Sequence, residues 1–455
     1  MDASVWSRTS PTGDRGAAAV APPAPPDAAE GGPGLRAARL PPEPRRRAAR
    51  VLRCYPVSLV LLAPYLLLII PTAVWNDNPQ TGFILRLVGL ALLGSVGVET
   101  LGLLLGRPTY EWRRGLQQAN AQYPRIYQVA CLVAVTSILA GLLGAYAGRG
   151  TIVAQVTGEL PDSQLATLTA LFSGWGALAF ALLVASHVGG QVSTRRLLGW
   201  LAALTLTQVV LAAITAISAP LLGFTFFVAA AGAVCGVFRL RYLLVGVALL
   251  LLVWPAMFQY RNGVRQDHGI VVSQEVTAVD RLRLDRQLAT VAQFDVPVDL
   301  DQPDVRNFIR YGVLPRAIDP DRPPLTTGQD INQYLGGNAT SAYTFLVLGN
   351  VYFFAGPVGV VVYYASWAAV VVALLRWRGA PGPVRLSLFC FVLADPLLWS
   401  STYPDSAISF VQHSVSALPV FAMLWLTRRR PDPAPGRYAD GPPPVTADGR
   451  VGPRR

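Results

Sequence analysis

Nine arginines, Arg261, Arg265, Arg281, Arg283, Arg286, Arg306, Arg310, Arg316 and Arg322, share the hydrophilic stretch 261–340 with eleven Asp and Glu residues. A guanidinium binds anionic oxygens, those of phosphate above all, through two parallel N–H donors. Fixed cations stabilise developing negative charge best where water is scarce. Arg316 and Arg322 stand in the stiffest part of the stretch, among Pro315, Pro320, Pro323 and Pro324. Asp319 and Asp321 lie between them, suited either to ion pairs with these arginines or to accepting a proton. Asp267 and His268 are further candidates for a general base, and no one of the four stands out. Arg306 and Arg310 belong to a short helix expected over 303–311, opposite an apolar face of Val305, Phe308 and Ile309. That places both guanidiniums toward water or toward a ligand. Three histidines and the absence of C-x-x-C or H-x-x-x-H spacing leave no legible metal site, and no cofactor is expected.

The elements that must position these groups are membrane helices. The chain has 455 residues, 52% hydrophobic and only 14% charged, with a net charge of +12 and a mean hydropathy of +0.41. An average soluble protein is roughly a quarter charged, so a soluble globular enzyme is excluded. The expected fold class is all-α: a polytopic membrane helix bundle of about ten transmembrane helices with one large, partly helical external loop. Apolar runs near the ~20 residues that span a bilayer occur at 57–74, 82–105, 126–147, 166–188, 198–218, 221–238, 242–260, 342–375, 386–402 and 406–427. The eighth is too long for one straight crossing and is expected to break at Gly356-Pro357. The chain divides into a disordered tail 1–55, spans 1–7 over 56–260, the loop 261–341, spans 8–10 over 342–427, and a disordered tail 428–455. The first apolar run starts too far from Met1 for a usual secretory signal, so it is expected to be a retained span.

Arginine placement sets the orientation. One side carries Arg45, Arg46, Arg47, Arg50 and Arg53, then Arg107, Arg113, Arg114 and Arg125, then Arg195, Arg196, Arg239 and Arg241. Arg376, Arg378, Arg385 and Arg428 to Arg430 fall on the same side, and the opposite short loops hold little beyond Arg149. By the positive-inside bias both termini are cytoplasmic and the loop faces outward, in a multi-pass protein of the cell membrane. The basic balance therefore belongs to the membrane and not to nucleic acid. The chain has no lysine, so arginine alone is weak evidence for fork-shaped recognition.

Ionisable groups inside spans are functional candidates by default. Arg86 and Asp395 lie at similar outer depth and are expected either to pair, or to leave Arg86 reaching an anionic ligand from below. Glu99 and His187 are expected to snorkel to the cytoplasmic surface, and His413 to be a helix-contact histidine. Cys131, Cys235 and Cys390 fall in spans and Cys54 just before the first, so no disulfide staples the loop.

The most specific segment is Val313-Leu-Pro-Arg316-Ala-Ile-Asp-Pro320-Asp321-Arg322-Pro323-Pro-Leu-Thr-Thr-Gly328. It leads through Gly336-Gly337-Asn338 into a span with Gly349-Asn350 and Gly356-Pro357-Val358-Gly359. Over residues 308–360 this resembles the Wzy-type O-antigen and oligosaccharide repeat-unit polymerases, in which Pro-Arg is followed by Pro-Asp-Lys-Pro and a late span bears Phe-Gly-x-x-Gly. Asp319 stands where that family commonly has an aromatic residue, Arg322 where it has lysine, and Ala355-Gly356-Pro357 where it has Phe-Gly.

The resemblance implies a glycosyltransferase acting at the outer face of the cytoplasmic membrane. The sugar hydroxyl of one polyprenyl-diphosphate-linked oligosaccharide attacks the anomeric carbon of a growing chain, and polyprenyl diphosphate departs. Arg316, Arg322 and Asp321 are then the expected catalytic residues. Arg261, Arg265, Arg306, Arg310 and Arg86 are the expected contacts to the lipid diphosphate. Partners are the lipid-linked oligosaccharide, membrane lipids, and a flippase and chain-length regulator. Two alternatives stay open: an O-antigen-ligase-like glycan transferase, and a transporter of polysaccharide or lipid-linked sugar.

Overall fold

The computed structural model describes residues 54–105, 112–149, 163–216, 219–238, 240–267, 277–278, 282–300, 305–314, 318–319, 321–322, 325–337, 342–376 and 382–429. All of them fall in the unit Arg45–Arg455. Among these residues the chain is helical, with no strand. The helices in chain order are α1 Pro56–Trp75, α2 Thr81–Leu105, α3 Trp112–Gln122, α4 Ile126–Tyr146, α5 Gln164–Ala170 and α6 Trp175–Val188. There follow α7 Thr194–Thr215, α8 Ala219–Val234, α9 Leu240–Asp267, α10 Leu284–Ala289, α11 Val305–Val313 and α12 Thr327–Tyr334. The last four are α13 Leu346–Arg376, α14 Pro383–Ala394, α15 Asp405–Ser416 and α16 Leu418–Leu426.

Seven of these, counting α5–α6 and α15–α16 as one span each, are long and apolar enough to cross a membrane. They are α1, α2, α4, α5–α6, α7, α13 and α15–α16. The three remaining apolar runs are helical too. However, α8 has 16 residues and α14 has 12, short of the ~20 a straight crossing needs. α9 covers the seventh run and overshoots it, reaching Asp267. The seven-residue overshoot matters for the site, because it turns the expected start of the loop into helix.

The core forms around α6, whose residues Leu178 to Ser186 are all buried. A helix apolar on every side belongs at a bundle centre, and here α4 and α14 pack on it. Among the described residues, the most extensive helix–helix packing is α2 against α13. It depends on Gly94, where any Cβ would run into the Val361 carbonyl oxygen. Dispersion and close backbone approach hold helices together in lipid, so a side chain here costs packing along the whole seam.

α13 kinks where expected. Gly356 has φ 65° and ψ −168°, a conformation open to glycine. Pro357 has no N–H, so the Phe353 carbonyl four residues earlier loses its helical partner. The Val298 N–H donates to that carbonyl at 2.8 Å. The loop therefore reaches into the bundle at the kink, and Phe294 inserts there among Tyr334, Phe345 and Phe353, with ring centroids 5.6–6.0 Å away.

The connections sort to two ends. At one end Asn120 donates to the Gly189 carbonyl (2.7 Å), Gln191 to the Tyr123 carbonyl (3.3 Å), and Arg428 to Gln122 Oε1 (2.6 Å). These join three of the arginine-bearing connections that the sequence assigns to one side. At the other end Asn78 meets Asp285, and Thr327 meets Asp405.

One expectation is corrected here. Glu99 does not snorkel: it is fully buried and caps the start of α1, accepting from the Val57 amide (2.8 Å), the Ser58 amide (3.3 Å) and the Ser58 hydroxyl (2.6 Å). First-turn amides lack helical partners, and a carboxylate supplies them. Of the loop residues 273–293, Leu284–Ala289 is α10 and Thr290–Gln293 a 3₁₀ turn, while 268–276 and 279–281 lie outside the described residues. Arg428 and Arg429 follow α16, and the Arg429 amide donates to the Gln122 carbonyl. The disorder expected for 1–50 and beyond 430 lies outside the described residues.

Candidate functional site

Arg261 and Arg265 are four residues apart on continuous helix, hence on one face of α9. The Arg261 guanidinium lies 4.8 Å from the Phe258 ring centroid and donates to Asn262 Oδ1 at 3.1 Å. Nearby, the Trp254 indole N–H donates to the Ala278 carbonyl at 2.8 Å, bringing the returning chain back to α9. The loop is then pinned by Asp285, a fully buried carboxylate. It accepts from Asn78 Nδ2 (2.9 Å) and from Arg283 Nε (3.0 Å) and Nη2 (3.2 Å). Burial pushes the Asp285 carboxyl up, but the Arg283 and Asn78 hydrogen bonds and the Arg283 charge outweigh it and hold it below the usual carboxylate range. Asp285 pairs with Arg283, and Arg281 lies outside the described residues.

In the segment that carries the family resemblance, the described residues 318–319 and 321–322 fold back onto α11, an arrangement called the hook below. Arg310, near the end of α11, forms a two-pronged ion pair with Asp319. The Arg310 hydrogen bond is the main cause holding the Asp319 carboxyl below the usual range, and the same bond raises the guanidinium. Arg322 caps the C-terminus of α11. Its Nη1 points at the carbonyls of Leu314 (2.8 Å), Tyr311 (3.1 Å) and Arg310 (3.3 Å), and its guanidinium lies 5.3 Å from the Tyr311 ring centroid. Exposed terminal carbonyls and the helix dipole both favour a cation at this place. Asp321 is exposed. Lysine, with a compact ammonium, would not reproduce the guanidinium's spread of donors across the helix end.

The hook is fastened to α15. The Tyr311 carbonyl, already taken by Arg322, also accepts from Gln412 Nε2 at 2.7 Å. Gly312 sits against Val411, where a Cβ would lie 3.0 Å from the valine methyl. Thr327, opening α12, donates to Asp405 at the start of α15 (2.7 Å). Among the α11 residues whose burial is described, Tyr311 and Gly312 are buried and Ile309 is 59% exposed.

One residue beyond Gln412, a polar chain crosses the bundle. His413 Nδ1 lies 2.7 Å from Asp395 Oδ2, and His413 Nε2 lies 3.2 Å from Ser173 Oγ. A carboxylate only accepts, so Nδ1 carries the ring proton and Nε2 offers its lone pair to the serine hydroxyl. Asp395 and His413 are mostly buried, with 10% and 16% of their side chains exposed, whereas Ser173 is exposed. Ser173 lies in the non-helical break 171–174 between α5 and α6. The next residue is Gly174, where a Cβ would strike the His413 ring. The expected Arg86–Asp395 pair is not formed: Asp395 belongs to His413, and Arg86 is exposed on α2.

Of the residues singled out from sequence, the structure gathers Arg310, Arg322 and Asp319 into the hook and places Arg261 and Arg265 on α9. Arg316 lies outside the described residues, and of Arg306 only its place on α11 is described. Sequence reasoning missed the Ser173–His413–Asp395 chain. The signal for it was the set of polar residues along α15, Asp405, Ser406, Gln412, His413 and Ser414, unusual for a lipid-facing helix. Among the described residues, no three His, Cys, Asp or Glu side chains gather as they would around a metal ion. No protein-family model, curated protein or solved structure matches this chain.

Proposed function

We propose that this protein polymerises polyprenyl-diphosphate-linked oligosaccharide repeat units at the outer face of the cell membrane, as a ten-span glycosyltransferase with both termini cytoplasmic. The observation that carries the proposal is the docking of the arginine-bearing hook onto α15 through the shared Tyr311 carbonyl. That contact sets a cationic segment beside the polar half of a membrane helix, where a lipid-borne anion and a sugar hydroxyl meet. Nucleotide sugars are absent outside the cytoplasm, so the bond energy comes from the lipid diphosphate, whose departing charge needs cations. In this reading Arg316, with Arg261, Arg265, Arg306 and Arg86, faces the lipid diphosphate. Arg322 and the Arg310–Asp319 pair hold the hook in shape, and Asp321 lies at its rim. The grouping of arginine-bearing connections at one end of the bundle supports placing that end in the cytoplasm. A flippase delivering repeat units and a chain-length regulator are the partners this reaction calls for.

A second reading draws support from the broken helix at 171–174 and the ionisable pair inside the bundle. Both features are common in transporters. Deletion of the gene, followed by sizing of the surface glycan and leaflet-resolved labelling of lipid-linked repeats, separates the two. Polymerisation predicts single repeat units accumulating on lipid in the outer leaflet. Accumulation in the inner leaflet refutes polymerisation and favours transport, and glycan of unchanged length refutes both.

A further inference from the structure

We infer that His413, oriented by Asp395, is the base that takes the proton from the attacking sugar hydroxyl, and that the Ser173 hydroxyl marks where that sugar hydroxyl binds. The inference rests on the polymerase reading and names the base that the loop's own candidates leave open. Three observations carry it. The first is polarity: the ring's Nδ1 is committed inward to Asp395 at 2.7 Å, so Nε2 is the basic atom. The second is access, because Nε2 meets an exposed hydroxyl at 3.2 Å, within the reach a general base requires. Glycine at 174 leaves the ring room beside the chain break. The third is proximity. Gln412, the neighbour of His413 in the chain, holds the same Tyr311 carbonyl that Arg322 holds, so the hook docks on α15 one residue away from the histidine.

Depth agrees as well. His413 is eight residues into α15, about 12 Å from its start at 1.5 Å per residue, and its 3.2 Å contact with Ser173 puts the serine at a similar level. This is within the bilayer but in its outer half, covered by α11.

The step balances as follows. The acceptor hydroxyl oxygen bonds to the anomeric carbon as the bond from that carbon to the diphosphate oxygen breaks. The hydroxyl proton passes to His413 Nε2, and the bond's electron pair leaves with the polyprenyl diphosphate. Asp395 stabilises the resulting imidazolium, and the proton is released to water before the next round. His413 is the catalytic residue; Asp395, acting through it, is a positioning residue. Ser173 holds the place of the substrate hydroxyl and forms no covalent bond.

The test uses full-length protein in nanodiscs and, as probe, lipid-linked saccharides extracted from cells lacking this gene. His413→Ala is expected to lower kcat about 100-fold, the lower bound for loss of a general base, with KM within a few fold and activity partly restored by added imidazole. Asp395→Asn is expected to lower kcat at least tenfold at unchanged KM, because an amide no longer fixes the tautomer. If the wild type elongates the probe while His413→Ala stays within fivefold, or loses activity that imidazole does not restore, the base assignment is wrong and the polymerase reading stands. If the wild type binds the probe and never elongates it, the polymerase reading fails and takes the base with it.

Discussion

Replacing Arg322 with alanine removes the cap from α11, and the size of the effect follows from the geometry. A single Nη1 carries two hydrogens, so of the three carbonyls within reach, Leu314 at 2.8 Å and Tyr311 at 3.1 Å take the two good bonds, and Arg310 at 3.3 Å is a weak third. A net hydrogen bond contributes about 1 kcal/mol, more when one partner is charged and less when water competes. Two such bonds on a partly exposed loop amount to about 2 kcal/mol, or about 30-fold in the equilibrium between closed and open hook. The Asp285 pin and the Val298–Phe353 bond lie elsewhere in the loop, so the loss is local. Hydrogen exchange on the full-length protein in nanodiscs reads it directly. Amides of 309–314 exchange about 30-fold faster in Arg322→Ala, while α4 and α6 are unchanged. Arg322→Lys recovers part of the protection, because one ammonium reaches one or two carbonyls without the stacking on Tyr311. Unchanged exchange in 309–314 would refute the capping argument, and uniform loosening of the whole bundle would refute its locality.

Two further outcomes follow from the packing and the charges. Gly94→Val forces α2 and α13 apart at the Val361 carbonyl and is expected to cost about 1–3 kcal/mol, as overpacking does. Thermal unfolding in detergent should show a clear drop in midpoint, whereas Gly97→Val, where a Cβ meets nothing, leaves it unchanged. The Arg310–Asp319 pair holds the Asp319 carboxyl below its ordinary range. Its contribution is therefore complete above the unfolded carboxylate pKa of about 4 and is lost as pH falls through the lower folded value. Protease nicking between Val313 and Arg322 should stay constant from neutral pH down to about 4 and rise only below it. A rise already at pH 6 would mean another group closes the hook.

The helices were legible because apolar length is a local property, read without knowing what touches what. The kink was legible for the same reason, since Gly356 and Pro357 act on their own backbone. Helix ends were less so: α9 runs past Tyr260 through Arg261 and Arg265, because polar residues propagate a helix as readily as apolar ones once it is nucleated. The partners of buried charges were not legible at all. Asp395 was equally compatible with Arg86 or His413, and only the fold decides between residues 309 and 18 positions away. Glu99 was misread for want of the same information, as its ligands Val57 and Ser58 come from another helix. The site shows the limit most sharply. Its arginines announce themselves by composition, whereas Ser173 and His413, 240 residues apart, are unremarkable until the chain brings them together.

The central claim is that an outward-facing saccharide displaces a lipid diphosphate held by this chain's arginines. Counting free polyprenyl diphosphate against new inter-repeat glycosidic bonds, with full-length protein and lipid-linked repeats in nanodiscs, tests it most directly. One molecule of polyprenyl diphosphate released per bond formed is the result expected. Repeats that stay singly linked to lipid, with no diphosphate lipid released, would contradict it.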